Sequence, residues 1–340
     1  MKFLKYFLLL LLVAIIGFSI YVAVQPNEYS FSRSRIIEAP KSLLYDKVND
    51  YKNWPEFSPW LEQEPNASIT YGSKTIGEGG TYSWEGEILG KGSMTTLETV
   101  ENKSISQNIE FIEPFEASSL IGWDFETAEN GTKVTWSMQG KQDFITKLFT
   151  VFMGSIEEQT GPDYERGLFK LDSVVNADMK VYSITVNGVT QHSGGFYLYK
   201  TASGKLSEFQ PKMNTMLGEV GSYALTHNIS RAGAPFILYH KWDEANDAVI
   251  FSTCYPTNSR IVTDNPDILT GQLESFKSVK TTLKGDYTNL KEAWNETMSY
   301  IETAGLTVKP DGPMLETYIT DPMLIPNPAD WITEIYVAVE

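Results

Sequence analysis

The stretch YFLLLLLVAIIGFSIYVAV, residues 6–24, carries no charge and no proline, and it restricts the chain more than any other feature. Coiled as an α-helix its 19 residues would span about 28 Å, close to one hydrocarbon core. The run is longer than the usual apolar centre of a signal peptide, and neither an A-x-A exit nor a lipobox cysteine follows it. Residues 1–26 are therefore expected to form a cytoplasmic tail and a retained single-pass anchor, with the lipid bilayer as partner of residues 6–24. Lys2 and Lys5 favour a body on the exported side, periplasmic or extracellular. Arg33, Arg35 and Lys41 lie close behind the run and pull the other way.

A length of 340 residues suggests about two domains. The net charge of −16, with no cluster of Lys and Arg, argues against a nucleic-acid partner. A lone Cys254 excludes an internal disulfide framework and a cysteine-based zinc site. His192, His227 and His240 fall in no metal-ligand spacing, and no HExxH, Walker loop, nucleophile elbow or dinucleotide fingerprint occurs. No metal and no cofactor is expected. Gly77, Gly79 and Gly80 read as a turn.

Behind the anchor, SFSRSRIIEAP reads as a strand, and Leu44, Val48 and Tyr51 recur at helical spacing until Trp54-Pro55 stops the helix. Six strand-like runs follow, ASITYG, GGTYSWEGEILG, KGSMTTLETV, ISQNIEFIE, SLIGWDFETA and TKVTWSMQG, joined by turns too short for parallel crossovers. Phe144, Leu148 and Phe152, with Ile145, Phe149, Met153 and Ile156, then mark an apolar helix face. Gly161-Pro162 should kink or break it before Tyr164, Leu168 and Leu171 resume the pattern. Short helix, antiparallel strands and long last helix resemble the helix-grip fold of the START and polyketide-cyclase superfamily (SRPBCC). IIEAPKSLLYDKVNDYKNWPEFSPW, GGTYSWEGEILGKGSM and GTKVTWSMQGK carry the resemblance, which covers residues 30–175. It implies a cavity between sheet and last helix, with Trp60, Trp84, Phe111, Trp123, Trp136, Phe144 and Phe149 as candidate wall residues. Each of these aromatics would serve equally well as core.

From Met179 the pattern changes. VYSITVNGV and GGFYLYKTASG are strand-like, and Leu206, Phe209, Met213, Met216, Leu217 and Val220 mark a helix. AGAPFILYHKWD and DAVIFSTCYPT then form a strand pair. The order repeats with FKSVKTTLKGDY, a helix through Leu290, Ala293, Trp294, Thr297, Met298 and Ile301, and the pair GPMLETYITDP and DWITEIYVAV. Tandem β-α-β-β units imply a pseudo-twofold α+β domain with a groove where the halves meet. Residues 179–340 resemble the GyrI-like family, the effector-binding domain of AraC-type and multidrug-responsive regulators; AGAPFILYHKWD, DAVIFSTCYP, KGDYTNLKEAWNETMSYIETAGL, PMLETYITDP and DWITEIYVAV carry the resemblance. It implies amphipathic, often cationic or planar ligands facing a buried glutamate of the last strand. Glu334 matches that position. With Asp247 laid on Asp330, Phe251 falls opposite Glu334, so the acid belongs to one half only. No helix-turn-helix accompanies the domain, and DNA binding is not carried over.

The fold expected is thus α+β throughout: one membrane helix, a helix-grip domain and a tandem-repeat domain. The expected function is a membrane-anchored binder of hydrophobic or amphipathic small molecules with a pocket in each domain. Glu334, Tyr336, Trp294, Tyr318 and Phe251 are the candidate ligand-binding residues. The alternative is a GyrI-like hydrolase of small electrophiles, with Glu334 as base or nucleophile and Tyr318 or Tyr336 polarising the substrate.

Overall fold

The computed structural model describes residues 2–114 and 116–340, so Met1 of the expected tail lies outside the described residues. The chain divides into two compact units, one ending at Ala177 and the other spanning Asp178–Glu340.

The first unit opens with α1 (Lys2–Ala23), then β1 (Glu28–Ile37), α2 (Lys41–Asn49), α3 (Trp54–Phe57) and α4 (Pro59–Gln63). Strands β2 (Ser68–Tyr71), β3 (Thr81–Gly86), β4 (Gly90–Val100), β5 (Ser104–Glu113), β6 (Ala117–Ala128) and β7 (Gly131–Lys141) follow, and α5 (Phe144–Met153) and α6 (Ile156–Asp178) end the unit. The sheet is antiparallel, in the order β1-β7-β6-β5-β4-β3-β2. Short turns lay each strand beside its predecessor; only β1 must reach the far edge, where its ten residues pair with β7 from Glu28↔Lys141 to Ile37↔Thr132.

One face of this sheet is held by stacked aromatic rings. Trp123 of β6 lies on Trp136 of β7 at 4.2 Å, and Trp136 lies on Tyr164 of α6 at 4.0 Å, both pairs within 20° of parallel. Such offset stacks add to the area these large rings remove from water. Trp54 closes the cluster edge-on against both tryptophans. The expected break at Gly161-Pro162 does not occur: α6 runs through Pro162, and the chain bends earlier, at Gly154. The reason is conformational, because Gly154 takes a φ of +91°, which only a residue without a Cβ adopts freely.

The second unit contains β8 (Ser183–His192), β9 (Gly195–Gly204), α7 (Leu206–Thr226), β10 (Phe236–Asp243), β11 (Ala248–Thr257), β12 (Leu269–Leu273), β13 (Phe276–Lys284), α8 (Leu290–Thr303), β14 (Met314–Tyr318) and β15 (Ile332–Ala338). Its eight strands run β12-β9-β11-β10-β14-β15-β13-β8. Read from the middle outward the order is the same in both directions, so the repeat seen in the sequence becomes a pseudo-twofold between β10 and β14. The halves also exchange their leading strands: β8 precedes β9 but pairs with β13, and β12 precedes β13 but pairs with β9. Neither half completes its own sheet. Strand β12, short and interrupted by Gly271, has no strand signal in the sequence reading.

Both helices cover one face. Met213 and Met216 of α7 pack on Ile237, Val249 and Phe251, while Ala293 and Ile301 of α8 pack on Val279, Leu283, Ile335 and Val337.

The aromatic stack of the first unit requires glycine at 167, where a Cβ would stand 2.7 Å from Trp136 and 3.2 Å from Pro59. Gly167→Ala should therefore lower the stability of this unit by about 1–3 kcal/mol through overpacking, despite the better helix propensity of alanine. Urea unfolding followed by tryptophan fluorescence measures this; an unchanged or raised midpoint would show that α6 moves aside freely.

Candidate functional site

The site in the second unit follows from strand parity on β14. Successive side chains alternate between faces, so Met314, Glu316 and Tyr318 point toward the helices while Leu315 and Thr317 point away. Leu315 accordingly joins the apolar cluster of the opposite face, with Tyr197, Phe236 and Cys254. Over the β10–β14 junction, between α7 and α8, lies a cavity of about 410 Å³. Aromatic rings form much of its wall: Phe209 from α7, Tyr239 and Trp242 from β10, Tyr287, Trp294 from α8 and Tyr318 from β14. Tyr239 meets Trp294 edge-on at 5.7 Å, and Phe209 meets Trp242 edge-on at 5.6 Å.

Glu316 is the buried acid in this wall, only 4% exposed. The Trp294 Nε1–H donates to its Oε1 at 2.5 Å, and the Tyr318 hydroxyl donates to its Oε2 at 2.9 Å. Burial pushes the carboxyl above its ordinary value, and these donors oppose the rise. Burial first, then the nearby carboxylate, drives the Tyr318 and Tyr239 hydroxyls far above their usual range, so both stay neutral and can donate. Lys291 and Glu244 also line the cavity, 3.8 Å apart and with exposed side chains.

Glu334 occupies the opposite face. The β14–β15 register pairs Thr317 with Glu334 and Glu316 with Ile335, so the two glutamates stand on opposite sides of one sheet. Glu334 is tied down there: Lys280 Nζ lies 2.7 Å from Oε1, and the Tyr336 hydroxyl donates to Oε2 at 2.6 Å. Burial raises the Tyr336 hydroxyl and lowers His192, whose ring lies edge-on to Tyr336 at 4.9 Å. Phe251 is fully buried against α7 and does not line the cavity. It shares the helix-side face with Ile335, so the overlay that set it opposite Glu334 is out of step by one residue. A β-bulge between Tyr239 and Lys241, and unequal links of residues 244–247 and 319–331, shift the register between the halves. A one-residue slip moves a side chain to the other face.

The structure thus brings Trp294 and Tyr318 together around Glu316, and keeps Glu334 and Tyr336 apart from them. Sequence reading missed Glu316, Tyr239 and Phe209. The signal for Glu316 was present: it precedes the candidate Tyr318 by two residues in GPMLETYITDP and so must share its face.

The first unit has its own cavity, about 320 Å³, walled by Trp60, Trp84, Phe111, Met94, Ile109 and Tyr164 among others. Polar groups are few: Tyr29 and Ser119 share a hydroxyl hydrogen bond of 2.6 Å, and the Trp60 indole N–H donates to Asp163 at 3.2 Å. Trp123 and Trp136 stand in the stacked core instead, each 1% exposed, because pairing across β6 and β7 presses their rings together. Phe144 and Phe149 lie on α5, both 45% exposed and away from the cavity wall. Among the described residues no three His, Cys, Asp or Glu side chains cluster as metal ligands.

Fold and sites together define an α+β protein of two antiparallel-sheet units, each with an apolar cavity. The family model described as a GyrI-like small molecule binding domain matches residues 179–340, and the model described as polyketide cyclase / dehydrase and lipid transport matches residues 37–168. The chain therefore carries a polyketide-cyclase-like domain followed by a GyrI-like domain. No curated protein matches it. The crystal structure of the EcmrR C-terminal domain is similar at 19% identity, covering 47% of this chain and 98% of that one, with a TM-score of 0.38. EcmrR in its cryo-EM complex with DNA is 16% identical over 63% of this chain and 88% of that one, with a TM-score of 0.40. Protein CV1439 from Chromobacterium violaceum is 14% identical over 43% and 95%, with a TM-score of 0.33.

A carboxyl whose value is raised by folding stabilises the fold fully below its ordinary value of 4.5 and loses that contribution as the pH climbs through the raised one. Glu316→Gln removes the ionisation and keeps the shape. The variant should match or exceed the parent in melting temperature at pH 8, and any advantage should vanish below pH ~4.5. A variant that is clearly less stable at pH 8 would mean that the ionised carboxylate holds the site together.

Proposed function

We propose that the protein is a single-pass membrane-anchored binder of hydrophobic or amphipathic small molecules, with cationic, planar compounds as the preferred class in the GyrI-like unit. The observation that carries this reading is the Glu316 carboxyl buried in an aromatic wall beside an open cavity of about 410 Å³. A delocalised cation gains there from the faces of Trp294 and Tyr239 and from the carboxylate behind them, while losing little hydration on entry. Entry of a cation favours the ionised acid, so binding releases a proton whenever the pH lies below the raised value. The cavity of the first unit, with Trp60, Trp84 and Phe111 in its wall and no charged group at its centre, suits a neutral apolar ligand. Helix α1 supplies the anchor, and the basic residue Lys5, just ahead of its uncharged run 6–24, supports a body on the exported side.

Hydrolysis of small electrophiles remains the second reading, favoured by one contact. Tyr318 donates to Glu316 at 2.9 Å, which sets an acid and a base side by side in the cavity. Glu316 would take the proton of an attacking water and Tyr318 would protonate the leaving oxygen.

Glu316→Gln separates the readings. Binding of a permanently cationic acridinium dye should weaken by roughly 1–3 kcal/mol, the range for losing a charge-assisted contact, and a neutral dye of the same shape should bind as before. Turnover of an epoxide by the parent, abolished in the variant with binding retained, would establish the hydrolase instead. Equal loss of both dyes, or of neither, contradicts the assignment of Glu316 to a cation site.

A further inference from the structure

Helix α5 is amphipathic in the reverse sense. Its one basic side chain, Lys147, is buried at 4% exposure and points into the protein, where Nζ reaches the Ala23 carbonyl at 3.2 Å and Asn27 Oδ1 at 2.5 Å. Its outward arc is Ile145, Phe149, Phe152 and Met153, exposed by 45–71%. A helix facing water carries the opposite pattern.

The neighbour of this face is α1, the apolar helix of length sufficient to span a bilayer. The two run antiparallel: Lys147 meets the end of α1 at Ala23, and five residues on in α5 and five residues back in α1, Phe152 meets Phe18 at 5.5 Å between ring centres. Five residues rise about 7.5 Å, so α5 descends by about that depth beside the last turns of α1. The lysine that would resist burial is already spent on the carbonyl end of α1, where a cation is favoured. The acids just past the elbow are also held, Glu157 by Arg33 at 2.9 Å and Glu158 by the Ser155 N–H at 2.8 Å.

We propose that α5 is a second membrane contact, seated in the head-group and outer acyl layer beside α1 with Ile145, Phe152 and Met153 facing lipid. A descent of about 7.5 Å matches the depth at which interfacial amphipathic helices lie. The proposal rests on the reading of α1 as a membrane span. It also brings the first cavity to the bilayer surface, since Ile156, three residues beyond Met153, lines that cavity.

The test uses the full chain in phosphatidylcholine vesicles, with a single cysteine at Phe152, Ile145, Leu12 or Glu129 labelled with the environment-sensitive NBD fluorophore. Buried Cys254 is left in place, and the unsubstituted protein corrects for any label it takes. Glu129 lies in the β6–β7 turn, eleven strand residues or about 36 Å from α5. The Phe152 and Ile145 labels should be quenched severalfold more by a shallow nitroxide lipid than the Glu129 label, and should resist iodide. The Leu12 label should be quenched by a deep nitroxide. If Leu12 is quenched but Phe152 and Ile145 respond like Glu129, α5 lies in water and the proposal fails while the span stands. If Leu12 escapes the deep nitroxide the span fails, and shallow quenching at Phe152 and Ile145 alone then decides whether α5 touches lipid.

Discussion

The carboxyl of Glu316 is out of water, and much of the second unit is arranged around that fact. An acid in an apolar wall is tolerable only with donors in place, and Trp294 from α8 and Tyr318 from β14 supply them within hydrogen-bond distance. These bonds fix the α8 indole over the central strands. They also leave the carboxyl poised, since burial favours the protonated form and the donors favour the charged one. A ligand cation entering the cavity would tip that balance.

The scaffold suits such a balance because it does not yield easily. Exchange of β8 and β12 between the halves makes the eight-stranded sheet a single interlocked object, so the groove at the pseudo-twofold is formed by the same pairing that folds the unit. Symmetry sets two helices over one face, and the acid breaks the symmetry where a polar ligand group would need a single partner. In the first unit the rigid part is the Trp123–Trp136–Tyr164 stack, and the cavity lies beside it, with Tyr164 shared between the stack and the cavity wall.

Element order and type were legible in the sequence because period-two and period-3.6 patterns report directly which residues face a core. The long apolar N-terminal helix, the helix-grip order and the tandem repeat are all visible at that level. Trp294 and Tyr318 were legible too, as aromatics on the apolar faces of a helix and a strand. The acid was half legible: parity sets Glu316 on the face of Tyr318, but Glu316 and Glu334 stand on adjacent strands, and only the register decides which of them faces the helices. Register depends on the bulge in β10 and on link lengths, long-range features that leave no periodic trace. The same limit applies to Trp123 and Trp136. Alternation puts them on the inner face, but whether an inner aromatic lines a cavity or fills the core depends on which ring stacks on it.

The central claim is that Glu316 changes its proton when a cation enters. Infrared difference spectroscopy tests it directly: spectra with and without the cationic dye are compared at a pH below the raised value of the carboxyl, with Glu316→Gln assigning the bands. The account predicts that dye binding removes a protonated-carboxyl band and creates a carboxylate band, both absent from the Gln spectrum. A parent that binds the dye with no change in either band would contradict it, for the cation would then be held without the buried acid.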